Sequence, residues 1–503
     1  MVYIITDIPD GRTIMGENEN LRLPETDVHF NDVRTYIELK PHEDYCHAPE
    51  SARESFKDMK FGVRIHWGLY SKWRLQQESW PFLKMSYEDK KKYHDLYKEF
   101  DPQAFDADEW MRMFKKSGLK CFAFTSKHHD GFSLFDTKAN VKRRVNWDSP
   151  EGPQIEECDF AYSVMDSPFK RDVVKELCDA ARKNDIKIDF YFSHPDWFDA
   201  DFRPYTFHPL TVPEYKELLT ERELEEYDSR YEKMLPVPVH SLTKEERDRM
   251  LKRHRQQLTE LLTNYGKIDM LCLDMWLGAD VWPEMRETIK ELRRIQPDVM
   301  LRCRGIGNYG DYYTPEGFVP GSKENTDMPW MVIYPLADTF SYDPNGDNYK
   351  GGEWIIKNLV DSVAKGGNFM VGIGPDENGA WHPAAEEQLG EAGAWLDVNG
   401  EAIYATRARP GSLYKEGKSI FFTRSKDNQH IYAICTEWPG KALRIKTIRP
   451  EDGTEICLLG CNDALDWTYD KEHGLFVNIP EHLQNESSRP CKTAYVFKIT
   501  AKD

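Results

Sequence analysis

No apolar run in this 503-residue chain approaches the roughly 20 residues that a membrane-spanning helix requires. Met1 to Asn20 lacks a signal-peptide core, which reads as a cytosolic chain or one already processed. The ten cysteines, at 46, 121, 158, 178, 272, 303, 435, 457, 461 and 491, contain no CxxC pair. Three of them (Cys121, Cys272, Cys303) lie inside apolar runs, which fits reduced, buried thiols rather than a disulfide framework. Positive charge is outnumbered, with 67 Lys and Arg against 86 Asp and Glu. The formal net charge is -19, and Lys and Arg are interleaved with acids, as in Thr243 to Arg255. A polyanionic nucleic acid would be repelled, and that charge run reads as a solvated helix face. HExxH, a Cys-His cluster, a Gly-rich phosphate loop and a GxSxG elbow are all missing, which removes the common signatures of zinc hydrolases, nucleotide enzymes and serine hydrolases.

Aromatics are abundant, with 14 Trp, 25 Tyr and 25 Phe. They suit either large cores or platforms for flat ligands. From about residue 60 to 400, short β-like runs alternate with amphipathic helical stretches such as Asp172 to Lys183, Leu258 to Tyr265 and Ala385 to Trp395. This alternation predicts an α/β fold, a (β/α)8-like TIM barrel. After Tyr404 short strands punctuated by Gly, Pro, Asn and Asp predict an antiparallel β-sandwich. The expected division is a catalytic barrel over 1–405, with an insertion around 205–246, and a sandwich over 406–503.

Polar groups collect at the ends of the β-like runs. Phe61 to Trp67 contains His66; Leu119 to Phe124 leads into Lys127-His128-His129-Asp130. Ile186 to Phe192 contains Tyr191 and leads into Ser193-His194-Pro195-Asp196-Trp197. Ile268 to Leu273 ends in Asp274, followed by Met275-Trp276. Val299 to Cys303 ends in Arg304, and Asn368 to Ile373 leads into Gly374-Pro375-Asp376. Six such ends argue for a site at the C-terminal mouth of a barrel. His128 and His129 are adjacent, so on a strand they face opposite sides, and only a kink brings both inward. By itself the segment suits a metal or a hydroxylated ligand. Carboxylates among His, Trp and Arg suit glycosidic bond cleavage, in which one carboxylate attacks and one carboxyl serves as acid and base.

FGVRIHWGLYS, KHHDGF, PFKRDVVKEL, IDMLCLD, KGGNFMVGIGPDENG and WLDVNGEAIYATR together resemble glycoside hydrolase family 29, the retaining α-L-fucosidases, over roughly residues 55 to 410. The resemblance implies a barrel followed by a β-sandwich and no cofactor or metal. It implies Asp274 as the nucleophile and Glu316 as the acid/base, with Glu324 as the fallback. Substrate contacts are implied for His66, Glu78, Trp80, His128, His129, Tyr191, Trp276 and Arg304. Terminal α-L-fucosyl residues of oligosaccharides, polysaccharides or glycoconjugates are the implied substrate. A secreted or periplasmic location is implied too, and a homo-oligomer is compatible with the sequence. Three departures keep the exact sugar open: Phe192 where Tyr is common, Arg302 where Asn is commoner, and Met331 after Trp330. An α-L-galactoside, a modified or sulfated sugar, or a non-catalytic carbohydrate-binding role stay as alternatives.

Overall fold

The computed structural model describes residues 33–205, 207–210, 241–315 and 328–502. Among the described residues nine strands precede residue 400: β1 (Phe61–Ile65), β2 (Cys121–Lys127), β3 (Val141–Asn146), β4 (Gln154–Phe160), β5 (Lys187–Ser193), β6 (Met270–Asp274), β7 (Met300–Leu301), β8 (Met331–Pro335) and β9 (Asn368–Ile373). Seven of them form one parallel sheet in the order β7-β6-β5-β2-β1-β9-β8, and β3 and β4 pair separately as a hairpin. Tyr312 and Tyr313 occupy the eighth place. Tyr312 bridges Arg302 just past β7, and Tyr313 bridges Trp330 just before β8, both in parallel sense. Cys303 N donates to Tyr312 O at 2.9 Å and Met331 N to Tyr313 O at 3.1 Å, so the ring of eight closes.

The run Val299 to Cys303 therefore forms a strand over only two residues. The Asp311 carboxylate accepts Leu301 N at 2.8 Å, so a side chain replaces part of the backbone ladder there. At Gly310 a Cβ would sit 2.4 Å from Cys303 Cα, a close approach that only glycine permits. The strands β3, β4 and β8 and the pair Tyr312-Tyr313 were not anticipated.

Strand residues alternate between two environments, as the pleat requires. In β1, Phe61, Val63 and Ile65 join the main apolar core, which also holds Val173, Val174 and Leu177 of the helix α4. This helix (Val173–Asn184) follows α1 (Glu50–Met59), α2 (Tyr87–Asp95) and α3 (Ala107–Lys116). Its N-cap, Asp172, accepts Lys175 N at 2.9 Å. A second apolar cluster contains Cys121, Ala123, Met270, Met300, Met331 and Met370, with Phe56 and Met59 of α1. That cluster plugs the barrel at the end opposite the site.

The helix α5 (Lys244–Thr263) starts with a capping box, Thr243 paired with Glu246. It carries the charge run read above as a solvated face: Lys244, Glu245, Asp248, Lys252 and Arg255 are exposed, but three positions on the other face depart from that reading. Glu246, Arg253 and His254 are buried. Arg253 Nη1 donates to Asp196 at 2.6 Å, and Arg203 Nη2 to Glu246 at 3.0 Å. Burial is affordable because each charge meets an opposite one. The centre of the expected 205–246 insertion, residues 211–240, lies outside the described residues.

The helices α6 (Trp282–Ile295), α7 (Gly352–Ala364) and α8 (Pro383–Asn399) complete the barrel layer. From Arg407 to Thr500 the chain is antiparallel β. One sheet is built on β12 (Ile420–Arg424), flanked by β10 (Arg407–Ala408) and β11 (Lys415–Glu416), with β13 (His430–Cys435), β19 (Tyr495–Thr500), β15 (Ile456–Leu458) and β16 (Ala464–Leu465). The other contains β14 (Ala442–Ile445), β18 (Gly474–Asn478) and β17 (Trp467–Asp470). Phe422, Ile431, Phe497 and Ile499 of the first sheet share a core with Leu443, Ile445, Leu475 and Val477 of the second. The sandwich docks on the barrel through Trp395 Nε1, which donates to Ala494 O at 2.8 Å, and Thr423 Oγ1, which donates to Ala402 O at 2.7 Å. All ten cysteines are free thiols.

Candidate active site

A cavity of about 550 Å³ opens at the C-terminal end of the barrel strands. His66, Glu78, Trp80, His128, His129, Tyr191, Asp274, Trp276 and Arg304 all line it. Every predicted site residue within the described chain thus meets at one place. Glu316 and Glu324 lie outside the described residues. Thr314, two positions before Glu316, lines the same cavity.

Asp274 ends β6 and is held by three donors. Arg304 Nη1 donates to its Oδ1 at 2.8 Å, Arg302 Nη1 to the same oxygen at 3.4 Å, and the Tyr191 hydroxyl to Oδ2 at 2.6 Å. Nε2 of His129 stands 3.9 Å from Oδ2. Burial opposes ionisation, but the guanidiniums of Arg304 and Arg302 outweigh it and hold the carboxyl well below the usual range. An anionic oxygen pinned in this way is a prepared nucleophile. Met275, the next residue, has φ 60°, a left-handed turn that sends the chain sharply away from the strand.

The two adjacent histidines face the cavity together because β2 ends in a kink. Its register against β5 shifts between Thr125 and Lys127, and the strand stops at Lys127. Gly131 closes the turn at φ 85°, where a Cβ would come within 2.2 Å of the Asp196 carboxylate. The rings of His128 and His129 lie 4.3 Å apart between centroids. Ser79 Oγ meets His128 Nδ1 at 2.5 Å, and Ser193 Oγ meets His129 Nδ1. Burial pushes the pKa of His66 and His128 well below the usual value and that of His129 to about 4. Nearby cations and the other rings act in the same direction, against the Asp274 charge. Three neutral imidazoles result, each with one donor and one acceptor, a set that matches sugar hydroxyls. Nδ1 of His66 is buried without a protein partner.

Glu78 approaches from the segment after β1, where Gln77 and Glu78 both take positive φ, 67° and 56°. Its Oε1 accepts from Ser341 N at 3.0 Å and Thr339 Oγ1 at 3.3 Å. Burial raises its carboxyl to about 7 against those hydrogen bonds. Trp80 packs its ring 4.7 Å from His129 and 5.9 Å from Phe207, and Phe207 lies 6.3 Å from Trp276. These three rings form an aromatic wall of the cavity.

Sequence reasoning missed Arg64, Phe207 and Phe340 in this cavity. Parity could have found Arg64, two positions before His66 on β1. Phe207 and Phe340 sit in loops with no comparable signal. Phe192 is corrected. It packs on the far side of β5 with Lys127 Nζ 4.3 Å from its ring centroid, so its missing hydroxyl does not concern this cavity.

A closed parallel barrel, an ionised carboxylate at a strand end and hydroxyl-matching imidazoles define a carbohydrate-active barrel enzyme. Residues 35–401 match the family model described as Alpha-L-fucosidase, and residues 415–500 match that of the Alpha-L-fucosidase C-terminal domain. The plasma alpha-L-fucosidase of Homo sapiens is 28% identical over 465 residues, covering 88% of this chain and 89% of that protein. Among solved structures, alpha-L-fucosidase isoenzyme 1 from Paenibacillus thiaminolyticus superposes with a TM-score of 0.70 at 27% identity, over 90% of this chain and 99% of that one. A trapped covalent intermediate of an alpha-L-fucosidase from Bacteroides thetaiotaomicron shares the fold with a TM-score of 0.68 at 21% identity, over 92% and 100%. The chain belongs to the alpha-L-fucosidase family of glycoside hydrolases.

Proposed function

We propose that this chain is a retaining exo-α-L-fucosidase whose nucleophile is Asp274. The observation that carries the reading is the Asp274 carboxylate, kept ionised by Arg304 and Arg302 and exposed to a cavity lined with imidazoles and indoles. Asp274 attacks the anomeric carbon as Glu316 gives its proton to the departing glycosidic oxygen. The bond to that oxygen breaks and a covalent glycosyl-enzyme forms. Glu316, now a carboxylate, takes a proton from water, which displaces Asp274 and frees the sugar. His66, His128, His129 and Glu78 hold ring hydroxyls, and the aromatic wall covers the apolar face of the sugar. The barrel is plugged below by methionines, so the cavity ends blind and accepts a terminal residue only. Terminal α-L-fucosyl residues of oligosaccharides, polysaccharides or glycoconjugates are the substrate class, and a secreted or periplasmic location goes with that reading.

The test uses 2-deoxy-2-fluoro-fucosyl fluoride with mass spectrometry of the digested protein. A fluorofucosyl adduct on the peptide containing Asp274 is expected, together with loss of turnover in Asp274→Ala by several orders of magnitude on an aryl α-L-fucoside. Near-normal turnover by that variant refutes the assignment. Azide should restore activity to Glu316→Ala, whereas rescue confined to Glu324→Ala moves the acid/base role to Glu324.

A further inference from the structure

Arg64 is the inward residue of β1 between Gly62 and His66, deeper in the barrel than the histidine. It is 4% exposed and lines the cavity. Among the described residues no carboxylate forms an ion pair with it. Its one hydrogen bond runs from Nη2 to Cys272 Sγ at 2.8 Å, and sulfur is a weak acceptor. Nε has no partner, and the ring of Tyr191 lies 5.4 Å from Cζ. Arg302 flanks the same sulfur at 3.3 Å and also contacts Asp274. Asp189, the buried carboxyl below them, has its pKa raised by burial to about 6, against the pull of both guanidiniums.

Asp189 offsets part of the Arg64 charge, but no hydrogen bond joins the two, so the buried guanidinium keeps Nε open, and its planar fork matches oxyanions bidentately. Hydroxyl recognition is already supplied by three neutral imidazoles and needs no further cation. Arg64 lies beneath the proposed nucleophile, at the closed end of the cavity, so whatever it meets belongs to the sugar being released and not to the leaving group.

We propose that this pocket takes an α-L-fucosyl residue bearing a sulfate ester, directed down the barrel axis onto the Arg64 guanidinium, with Arg302 as a second donor. The inference rests on the α-L-fucosidase reading above and names its substrate class. No new covalent step is involved.

The experiment compares kcat/KM of the full-length protein for 4-nitrophenyl α-L-fucoside with that for its 2-, 3- and 4-O-sulfated forms, and for α-L-galactoside. At least one sulfated form should exceed the unsubstituted fucoside by about tenfold or more, in line with a charge-assisted hydrogen bond. Arg64→Met should collapse that ratio. Comparable or better turnover of the unsubstituted fucoside or the galactoside overturns the proposal while leaving the fucosidase reading intact. So does a sulfate preference that survives in Arg64→Met. If none of the α-L-fucosides is hydrolysed, the fucosidase reading itself fails. The substrate comparison uses the native chain, so it decides even if Arg64→Met does not fold.

Discussion

Replacing Arg304 with Gln should move the acid limb of activity upward. Asp274 takes two bonds on Oδ1, from Arg304 at 2.8 Å and Arg302 at 3.4 Å, and one on Oδ2 from Tyr191 at 2.6 Å. Arg304 makes the shorter of the two guanidinium contacts, and its charge is the largest influence opposing burial. A hydrogen bond to a charged group is worth about 1.5–3 kcal/mol. At about 1.4 kcal/mol per pKa unit this corresponds to a rise of roughly one to two units. The carboxylate is the active form and its folded pKa is depressed, so native activity persists below an ordinary Asp pKa of about 3.9 and fails only under stronger acid. In Arg304→Gln the acid limb of kcat/KM should move to higher pH than in the native chain, while the basic limb, set by the acid/base carboxyl, stays in place. The same depression stabilises the fold above the unfolded pKa and is lost as pH falls through the folded value, so acid unfolding of the variant should also begin at higher pH. The assay is a pH profile on an aryl α-L-fucoside, with circular dichroism at each pH to separate protonation from unfolding. A lowered plateau with an unmoved acid limb would refute the idea that Arg304 sets the ionisation of Asp274.

Further outcomes follow from other contacts. Ser79→Ala removes the partner of His128 Nδ1 and should raise KM about fivefold, the worth of one ordinary hydrogen bond, with little change in kcat; an unchanged KM counts against an orienting role. Asp311→Ala strips the carboxylate that receives Arg293 at 2.5 Å and Leu301 N and Ala48 N at 2.8 Å each. It should cost about 3–5 kcal/mol in urea unfolding, because Arg293 is left buried and unpaired. A loss under about 1 kcal/mol would contradict the packing described at the barrel closure. Glu78→Gln tests a raised carboxyl. With a folded pKa of about 7, the native chain loses stability as pH climbs from the unfolded value through 7, by up to about 3 kcal/mol. The Gln variant should show a flatter profile of Tm against pH over that window, and an equal slope in both proteins would refute the burial of an ionisable Glu78.

The barrel was legible wherever an apolar run stood alone and ended in chemistry-bearing side chains. Phe61 to Ile65 and Met270 to Asp274 are such runs. It was illegible where the ladder leaves the backbone. Around β7, Asp311 substitutes a carboxylate for a strand partner, and Tyr312 and Tyr313 contribute only bridges. Neither feature has a period to read. Residues 316–327, which hold both acid/base candidates, are likewise without a run or helical repeat, and they lie outside the described chain. The charged helix α5 was legible on its exposed face but not on its buried one. Composition reports charge but not its partners, and Arg253 is buried because Asp196 and Asp199 come from the loop after β5, some 50 residues earlier.

Parity along a strand carries more than was taken from it. Once one side chain is anchored inside a barrel, every second neighbour shares its environment. His66 inside places Arg64 inside, and Asp274 places Cys272 below it. Tyr191 inside sends Phe192 outward, which is why the Tyr-to-Phe difference at that position has no bearing on the sugar. The same rule locates the change of polarity along the barrel axis. Met270, Met300 and Met370 lie in the plug, Arg64, Cys272 and Arg302 lie above it, and His66, Asp274 and Arg304 meet the opening. Asp189, two positions before Tyr191 on β5, joins that middle layer, where its carboxyl offsets part of the charge of the two guanidiniums. One carboxyl does not balance two guanidiniums, and an anionic group entering by the open end of the cavity would offset the remaining charge.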